Sequence, residues 1–210
     1  MKIQGLYFIT DSTLTRNSTV KDVTDAVRAG VEIVQYREKC KTLNEMMEEA
    51  DELRKICKGV ALLLINDYIE IAKTINADGV HLGQDDIICA DARKLLGTNK
   101  IIGITVHNVE EAVKAEKNGA DYLGVSPIFA TKTKKNARAP LGIDIIKEIR
   151  KNVHIPIVAV GGINLANILS VLDAGADSIS AVSAIITKDN VEEECRKFIK
   201  IISEFKNTSR

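Results

Sequence analysis

The sequence carries no excess of charge of either sign: 29 Lys and Arg stand against 29 Asp and Glu, for a formal net charge of zero. That excludes a broad basic face of the kind that tracks a nucleic-acid backbone, while leaving room for a local basic pocket. There is no C-x-x-C pair. Cys40, Cys57, Cys89 and Cys195 stand apart at irregular intervals, so they read as reduced thiols, mostly packing as small hydrophobes. The three histidines, His81, His107 and His154, are too scattered to suggest a zinc site. Long hydrophobic runs are missing as well: the longest, 60–65, is far short of a membrane span. No basic stretch followed by an apolar one opens the chain, and residues 5–10 already read as a strand. These absences point to a cytoplasmic protein with neither nucleic acid nor membrane as partner.

What is present is a rhythm. Short apolar runs recur at 5–10, 32–36, 60–65, 79–82, 101–105, 122–125, 155–160 and 178–182. Several are apolar at consecutive positions, as strands buried on both faces must be. Amphipathic stretches lie between most of them. Thr42-Leu43-Asn44-Glu45 is a capping box, after which Leu43, Met46, Met47, Ala50 and Leu53 form one apolar face. Asp189-Asn190-Val191-Glu192 repeats the cap ahead of Val191, Cys195, Phe198, Ile199 and Ile202. Arg28-Ala29-Gly30-Val31, Asn118-Gly119-Ala120-Asp121 and Asp173-Ala174-Gly175-Ala176-Asp177 each read as a helix stopped by glycine before a new strand. Asn76-Ala77-Asp78-Gly79 is a looser version. The 210 residues suffice for one domain with a sizeable core and are too few for two. The expected fold is therefore α/β, a single-domain (β/α)8 TIM barrel over residues 1–210. A doubly wound open sheet has the same periodicity and is the structural alternative.

A barrel of this kind places its active site at the C-terminal ends of the strands, before any motif is considered. Strand two runs into Gln35-Tyr36-Arg37-Glu38-Lys39, where alternation puts Gln35, Arg37 and Lys39 on one face. Two cations and an amide there suit an anionic group, although a solvated strand exit reads equally well. Strand three stops at Asn66-Asp67 and strand four at His81-Leu82-Gly83-Gln84-Asp85-Asp86. Neighbouring strand ends allow Asp67 and Asp86 to share one hard cation such as Mg²⁺, which takes one or two carboxylates plus waters and phosphate oxygens. Each of these polar residues also has a plain use as a helix cap. Strand five ends at Thr105-Val106-His107-Asn108, with Asn108 the expected cap of the helix carrying Glu111. Strand six leads through Ser126-Pro127 into the longest excursion, 130–141, rich in Thr and Lys. Such a loop suits a lid over phosphate, or is merely an exposed basic loop. Gly161-Gly162 after strand seven and Val182-Ser183 after strand eight occupy the usual phosphate position of this architecture, where paired glycines also serve a tight turn.

Taken in this order and on these strand ends, seven motifs resemble the thiamine phosphate synthase family over essentially the whole chain. They are Gln35-Tyr36-Arg37-Glu38-Lys39, Asn66-Asp67, the stretch 81–86, Gly124-Val125-Ser126-Pro127-Ile128, Thr131-Lys132-Thr133-Lys134, Val160-Gly161-Gly162-Ile163 and Val182-Ser183. The resemblance implies a Mg²⁺-dependent transferase that joins an aminopyrimidine diphosphate to a thiazole phosphate and releases diphosphate. It implies that Gln35, Tyr36, Arg37, Glu38, Lys39, Asn66, Thr105 and Lys134 bind the pyrimidine diphosphate. Asp67 and Asp86 would hold one Mg²⁺, and Thr131, Lys132, Thr133, Gly162, Val182 and Ser183 the thiazole phosphate. Catalysis would rest on Arg37, Lys39, Lys134 and Thr105, with no strong nucleophile or acid–base pair needed. Family members often carry serine where this chain has Thr105, which keeps the hydroxyl.

Three other functions fit parts of the pattern. A thiazole tautomerase would share the barrel and thiazole pocket and use a histidine, for which His107 is placed; the cationic and carboxylate half of the site argues for coupling instead. A non-catalytic sensor of phosphorylated ligands would bind without Mg²⁺-dependent turnover. A phosphosugar enzyme would need an acid–base pair that the strand ends do not offer. Barrels of this kind often form homo-oligomers, but no apolar surface stripe marks an interface.

Overall fold

The computed structural model describes residues 2–131, 133 and 138–208. Its parallel strands are β1 (Gly5–Ile9), β2 (Ile33–Tyr36), β3 (Leu62–Asn66), β4 (Gly79–Leu82), β5 (Ile101–Val106), β6 (Tyr122–Val125), β7 (Ile157–Val160) and β8 (Ser178–Ser180). They pair in chain order, and β8 returns to β1 through Gly5↔Ser178 and Leu6↔Ile179, so the sheet is closed and the open alternative is excluded. The helices are α1 (Thr19–Ala29), α2 (Leu43–Cys57), α3 (Ile69–Thr74), α4 (Cys89–Leu96), α5 (Val109–Lys117), α6 (Asp144–Arg150), α7 (Ile168–Asp173), α8 (Val182–Ile186) and α9 (Val191–Thr208).

Alternation along the strands divides the apolar residues between two cores. Outward residues such as Leu6, Phe8, Val34, Leu63, Ile65, Ile102 and Ile104 pack under the helices. Inward residues Tyr7, Ile9, Ile33, Leu64, Tyr122 and Val158, with Ile3 below, fill the barrel. The Tyr122 ring takes so much of that space that a Cβ on Gly103, its register partner, would lie 1.9 Å from Tyr122 Cζ. Helix ends follow the sequence cues. Thr42 and Glu45 form the capping box of α2 in both directions, and α1 stops on Gly30, φ 100°, whose N–H returns to the carbonyls of Ala26 and Val27.

Four local expectations are corrected. β3 starts at Leu62, two residues into the apolar run 60–65, and takes in Asn66 as its last residue, whose side chain lines the barrel mouth. β8 stops at Ser180, and Val182 opens α8 instead of extending the strand. Leu43 on α2 is 58 % exposed, leaving Met46, Ala50, Leu53 and Cys57 as the buried face. The cap of α9 is Asn190, whose Oδ1 accepts from Glu193 N–H at 3.0 Å, one residue later than the pattern suggested, while Asp189 pairs with Arg16.

The recurring Ala-Asp before β4, β6 and β8 has a structural purpose at the far end of the barrel from the mouth. Asp78, Asp121 and Asp177 each donate a backbone N–H to the carbonyl of Leu63, Ile102 or Ile157 on the preceding strand, at 2.8–3.0 Å. Each then accepts that same residue's N–H on its carboxylate, at 2.7–2.8 Å. An arginine from the helix that leads into the odd-numbered strand completes each clamp: Arg54 on α2, Arg93 on α4 and Arg150 on α6, at 2.9, 2.6 and 2.9 Å. Three even-numbered strands are thus locked to their odd-numbered neighbours by one repeated device. The corresponding residue before β2 is Glu32, which is exposed.

Candidate active site

Two adjoining hollows occupy the C-terminal mouth and share a wall made by Arg37, Asn66, Thr105, Ser126 and Thr131. The deeper one has a polar floor built from inward-facing strand residues. Gln35 Nε2 donates to Tyr7 Oη at 2.8 Å, Tyr7 and Tyr122 hydroxyls meet at 2.7 Å, and Tyr122 Oη lies 2.8 Å from His81 Nδ1. His81 Nε2 lies 2.8 Å from Thr105 Oγ1, so one hydrogen-bonded chain crosses the barrel from β2 to β5. Burial drives both phenols well above their ordinary pKa range, and they stay protonated as hydrogen-bonding groups. Above this floor lie Gly161, Gly162, Val182, Ser183, Thr131 and Thr133.

The glycine turn is shaped by packing as well as by conformation. Gly162 has φ 66°, and a Cβ there would come within 2.7 Å of the Ala130 carbonyl oxygen. The loop after β6 is stitched to this turn by Phe129 N–H to Gly161 O, 3.0 Å, and Ile128 N–H to Val160 O, 2.9 Å. α8 opens beside it with no side-chain cap on its first amides.

The outer hollow is charged, with Lys39, Asp67, Asp85, Asp86 and Arg138 on its wall. Asp67 and Asp86, far apart in sequence, are brought to the same wall of the outer hollow. Burial first, and then the Asp67 carboxylate, push the Asp86 carboxyl above its ordinary range, against the opposing pull of Gly83 N–H and Lys39. Neither residue caps a helix: α3 and α4 start at Tyr68 and Ile88 without side-chain caps. Asp67 instead has φ 64°, a left-handed conformation that Asp tolerates better than most residues. Among the described residues no group of three or more His, Cys, Asp or Glu is placed to hold a metal ion. A carboxylate pair alone fits a hard cation that keeps waters and takes its remaining oxygens from a ligand.

The expected site residues are therefore sorted by the structure. Gln35, Arg37, Asn66, Thr105, Thr131, Thr133, Gly162, Val182 and Ser183 line the deeper hollow, and Lys39, Asp67 and Asp86 the outer one. Tyr36 and Glu38 are not brought to either. Tyr36 faces the helices and its hydroxyl donates to Glu49 at 2.7 Å. Glu38 is buried and accepts the N–H groups of Lys39 and Cys40 at 2.7 and 2.6 Å. Burial raises its carboxyl, but the Ser12 hydroxyl, those amides and Lys41 outweigh it and the net shift is downward, as befits a turn clamp. Lys132 and Lys134 lie outside the described residues. His107 lines the outer hollow, not the deeper one that holds the glycine turn, and is tied by Nδ1 to Glu111 at 2.8 Å. Asn108 caps α5 as expected, at 2.8 Å from Glu111 N–H.

Sequence reasoning missed Tyr7, Tyr122 and the strand-one exit. Asp11 there accepts from Arg37 Nη1 at 2.7 Å, and the Thr10 hydroxyl bridges both backbone groups of Arg37. The run Ile9-Thr10-Asp11-Ser12 has the same signature, an apolar strand halted by polar residues, that singled out strand three.

A closed (β/α)8 barrel with polar side chains converging at its C-terminal mouth is the layout of a barrel enzyme. Comparison with known proteins narrows the class: the chain belongs to the thiamine monophosphate synthase family, whose model matches residues 6–185. The thiamine-phosphate synthase of Methanosarcina mazei is 54 % identical over 208 residues, covering 99 % of this chain and 87 % of that one. That of Chloroflexus aurantiacus is 47 % identical over 200 residues, 94 % of this chain and 92 % of its own. Among solved structures, the thiamine phosphate pyrophosphorylase from Pyrococcus furiosus superimposes with a TM-score of 0.87 at 36 % identity, covering 96 % of each chain. The relatives are transferases, and this protein is an enzyme of that class. No helix among the described residues is long and apolar enough to cross a membrane.

Proposed function

We propose that the protein makes thiamine phosphate from 4-amino-2-methyl-5-(diphosphooxymethyl)pyrimidine and a thiazole phosphate, releasing diphosphate. The observation that carries this reading is the pair of hollows with a common wall, one fitted for rings and a single phosphate, the other charged for a diphosphate with a cation. The aminopyrimidine lies over Gln35, Asn66 and Thr105, with its diphosphate reaching past Arg37 toward Lys39, Asp67 and Asp86. The thiazole phosphate lies at the Gly162, Val182 and Ser183 end, against Thr131 and Thr133. Lys132 and Lys134 belong to the same proposal, on the thiazole and diphosphate sides respectively.

In the reaction the bond between the pyrimidine methylene carbon and the diphosphate oxygen breaks, and its electron pair leaves with the diphosphate. The ring-delocalised cation then accepts the thiazole nitrogen lone pair, forming the new C–N bond. Nothing in this sequence requires a protein nucleophile. The residues hold two rings in contact at the shared wall, Arg37 and Lys39 draw off leaving-group charge, and the closed floor keeps water from the cation. Mg²⁺, held by Asp67 and Asp86, would supply further neutralisation of the diphosphate. The whole barrel, 1–210, serves as one catalytic domain, in the cytoplasm.

The test is to mix both substrates with the protein, with and without Mg²⁺, and to measure thiamine phosphate and diphosphate. Product in equal amounts, and only with Mg²⁺, supports the reading; binding of ligand without turnover makes the protein a sensor. Asp67→Ala should slow coupling and weaken its metal dependence while leaving the fold intact. Unchanged turnover at limiting Mg²⁺ would remove Asp67 from the metal site.

A further inference from the structure

Two of the mouth cations, Arg37 and Lys39, are neutralised in contrasting ways. Arg37 is held by Asp11, a carboxylate only 5 % exposed that also accepts the Thr13 N–H and hydroxyl at 3.1 and 2.6 Å. Every partner of that carboxylate belongs to the strand-one and strand-two exits, so the pairing is part of the scaffold. Lys39 reaches Asp67 instead. Asp67 shares the wall of the outer hollow with Asp86, and the Lys39 charge acts on that second carboxyl as well. The Lys39 side chain is 44 % exposed, on a flexible stem that costs little to redirect. Two carboxylates facing one hollow repel unless a cation sits with them, and among the described residues Lys39 is the cation paired there, on Asp67.

We propose that Lys39 is the resident counter-ion of the Asp67–Asp86 pair, holding the place of a divalent cation until a diphosphate draws the ammonium away. The identity of that diphosphate rests on the function proposed above. Metal alone then competes with a tethered positive charge and binds weakly. Diphosphate, by taking Lys39 as its own partner, frees the carboxylates for metal, and by reciprocity metal favours diphosphate. Lys39 thus couples the two ligands, beyond any contact it makes with either.

The experiment measures Mn²⁺ binding, as a probe for Mg²⁺, by the electron paramagnetic resonance of free Mn²⁺ at fixed ionic strength. Wild type, Lys39→Met and Lys39→Arg are compared with and without inorganic diphosphate, with Mn²⁺–diphosphate association measured separately. Lys39→Met should bind Mn²⁺ alone about tenfold more tightly than wild type, because a unit charge a few ångströms from the site has gone. Its affinity should then gain little from diphosphate. Lys39→Arg keeps the charge and should stay within about twofold of wild type. A Lys39→Met protein that binds Mn²⁺ alone no better than wild type overturns the counter-ion, even if wild type couples its substrates normally. If wild type neither binds Mn²⁺ in the presence of diphosphate nor forms thiamine phosphate, the proposed function falls and the counter-ion falls with it.

Discussion

Replacing Asp121 by alanine removes the carboxylate half of one clamp at the end of the barrel opposite the mouth, leaving its backbone bond to Ile102 in place. Ile102 is fully buried, and its N–H would lose the carboxylate oxygen 2.7 Å away. A buried amide left without an acceptor costs about 1–3 kcal/mol. The Arg93 pairing adds less: Asp121 is 43 % exposed, and half-exposed ion pairs contribute about 0.2–1 kcal/mol. The sum is about 1–4 kcal/mol, which for a chain of this size lowers Tm by roughly 3–15 °C. Asp121→Asn is the informative companion, since its amide oxygen still accepts from Ile102 and only the charge is lost; its cost should be under about 1 kcal/mol. Thermal melts followed by circular dichroism, with initial coupling rates at 25 °C, read both quantities. Rates should be unchanged, because the clamp lies at the other end of the barrel. An alanine variant that melts within about 1 °C of wild type, or an asparagine variant as damaged as the alanine one, would refute the reasoning.

Other outcomes follow from the same coordinates. Tyr7→Phe breaks the hydrogen-bonded floor between Gln35 and Tyr122, and should cost about 1–3 kcal/mol in urea unfolding while raising KM for the pyrimidine substrate; full stability would contradict the chain. Gly162→Ala places a Cβ 2.7 Å from the Ala130 carbonyl at φ 66°, with strain of about 1–3 kcal/mol, so KM for the thiazole phosphate should rise about tenfold. An unaltered KM there would show that the turn does not shape that end of the pocket. Cys40 is exposed while Cys57, Cys89 and Cys195 are buried, so a disulfide reagent at pH 8 should label one thiol in the native protein and four after denaturation. Burial pushes the Cys57 and Cys195 thiols from 9.0 up to about 12. The unfolded chain therefore sheds these protons first as pH rises, and Tm should fall from about pH 9 upward, levelling as 12 is approached; a flat profile between pH 9 and 11 would refute it.

The barrel was legible because strands buried on both faces leave uninterrupted apolar runs, and helices between them leave caps and stripes. Its errors fell where polarity and secondary structure part company. Asn66 lies just past the apolar run, yet an inward-facing strand residue at the mouth can be polar and remain in the ladder, as its pairing with His81 shows. Val182 reads as strand because burial selects apolar side chains in strands and in the first turn of a helix alike. Within the site, alternation placed Gln35, Arg37 and Lys39 together, and the same rule sends Tyr36 and Glu38 to the opposite face. Motif resemblance treats the five as one block; the pleat does not. Tyr7 and Tyr122 were hidden because a tyrosine in an apolar strand looks like core until its hydroxyl finds a partner across the barrel. Asp67 and Asp86 could be paired from sequence only because adjacent strands bring their exits together.

The strand pair β1–β2 departs from the others. Where three arginines tie their strands at the far end of the barrel, this pair is tied at the mouth, through Thr10, Asp11 and Arg37. Substitution of Arg54, Arg93 or Arg150 should carry only a thermal penalty, since all three stand at the end of the barrel away from the mouth. On the function proposed above Arg37 has no such latitude, for the guanidinium that rivets the two strands is also the one assigned to the leaving diphosphate. Efforts to harden this protein against heat should work on the first three, and efforts to alter what it accepts must reckon with the loosening of its first two strands.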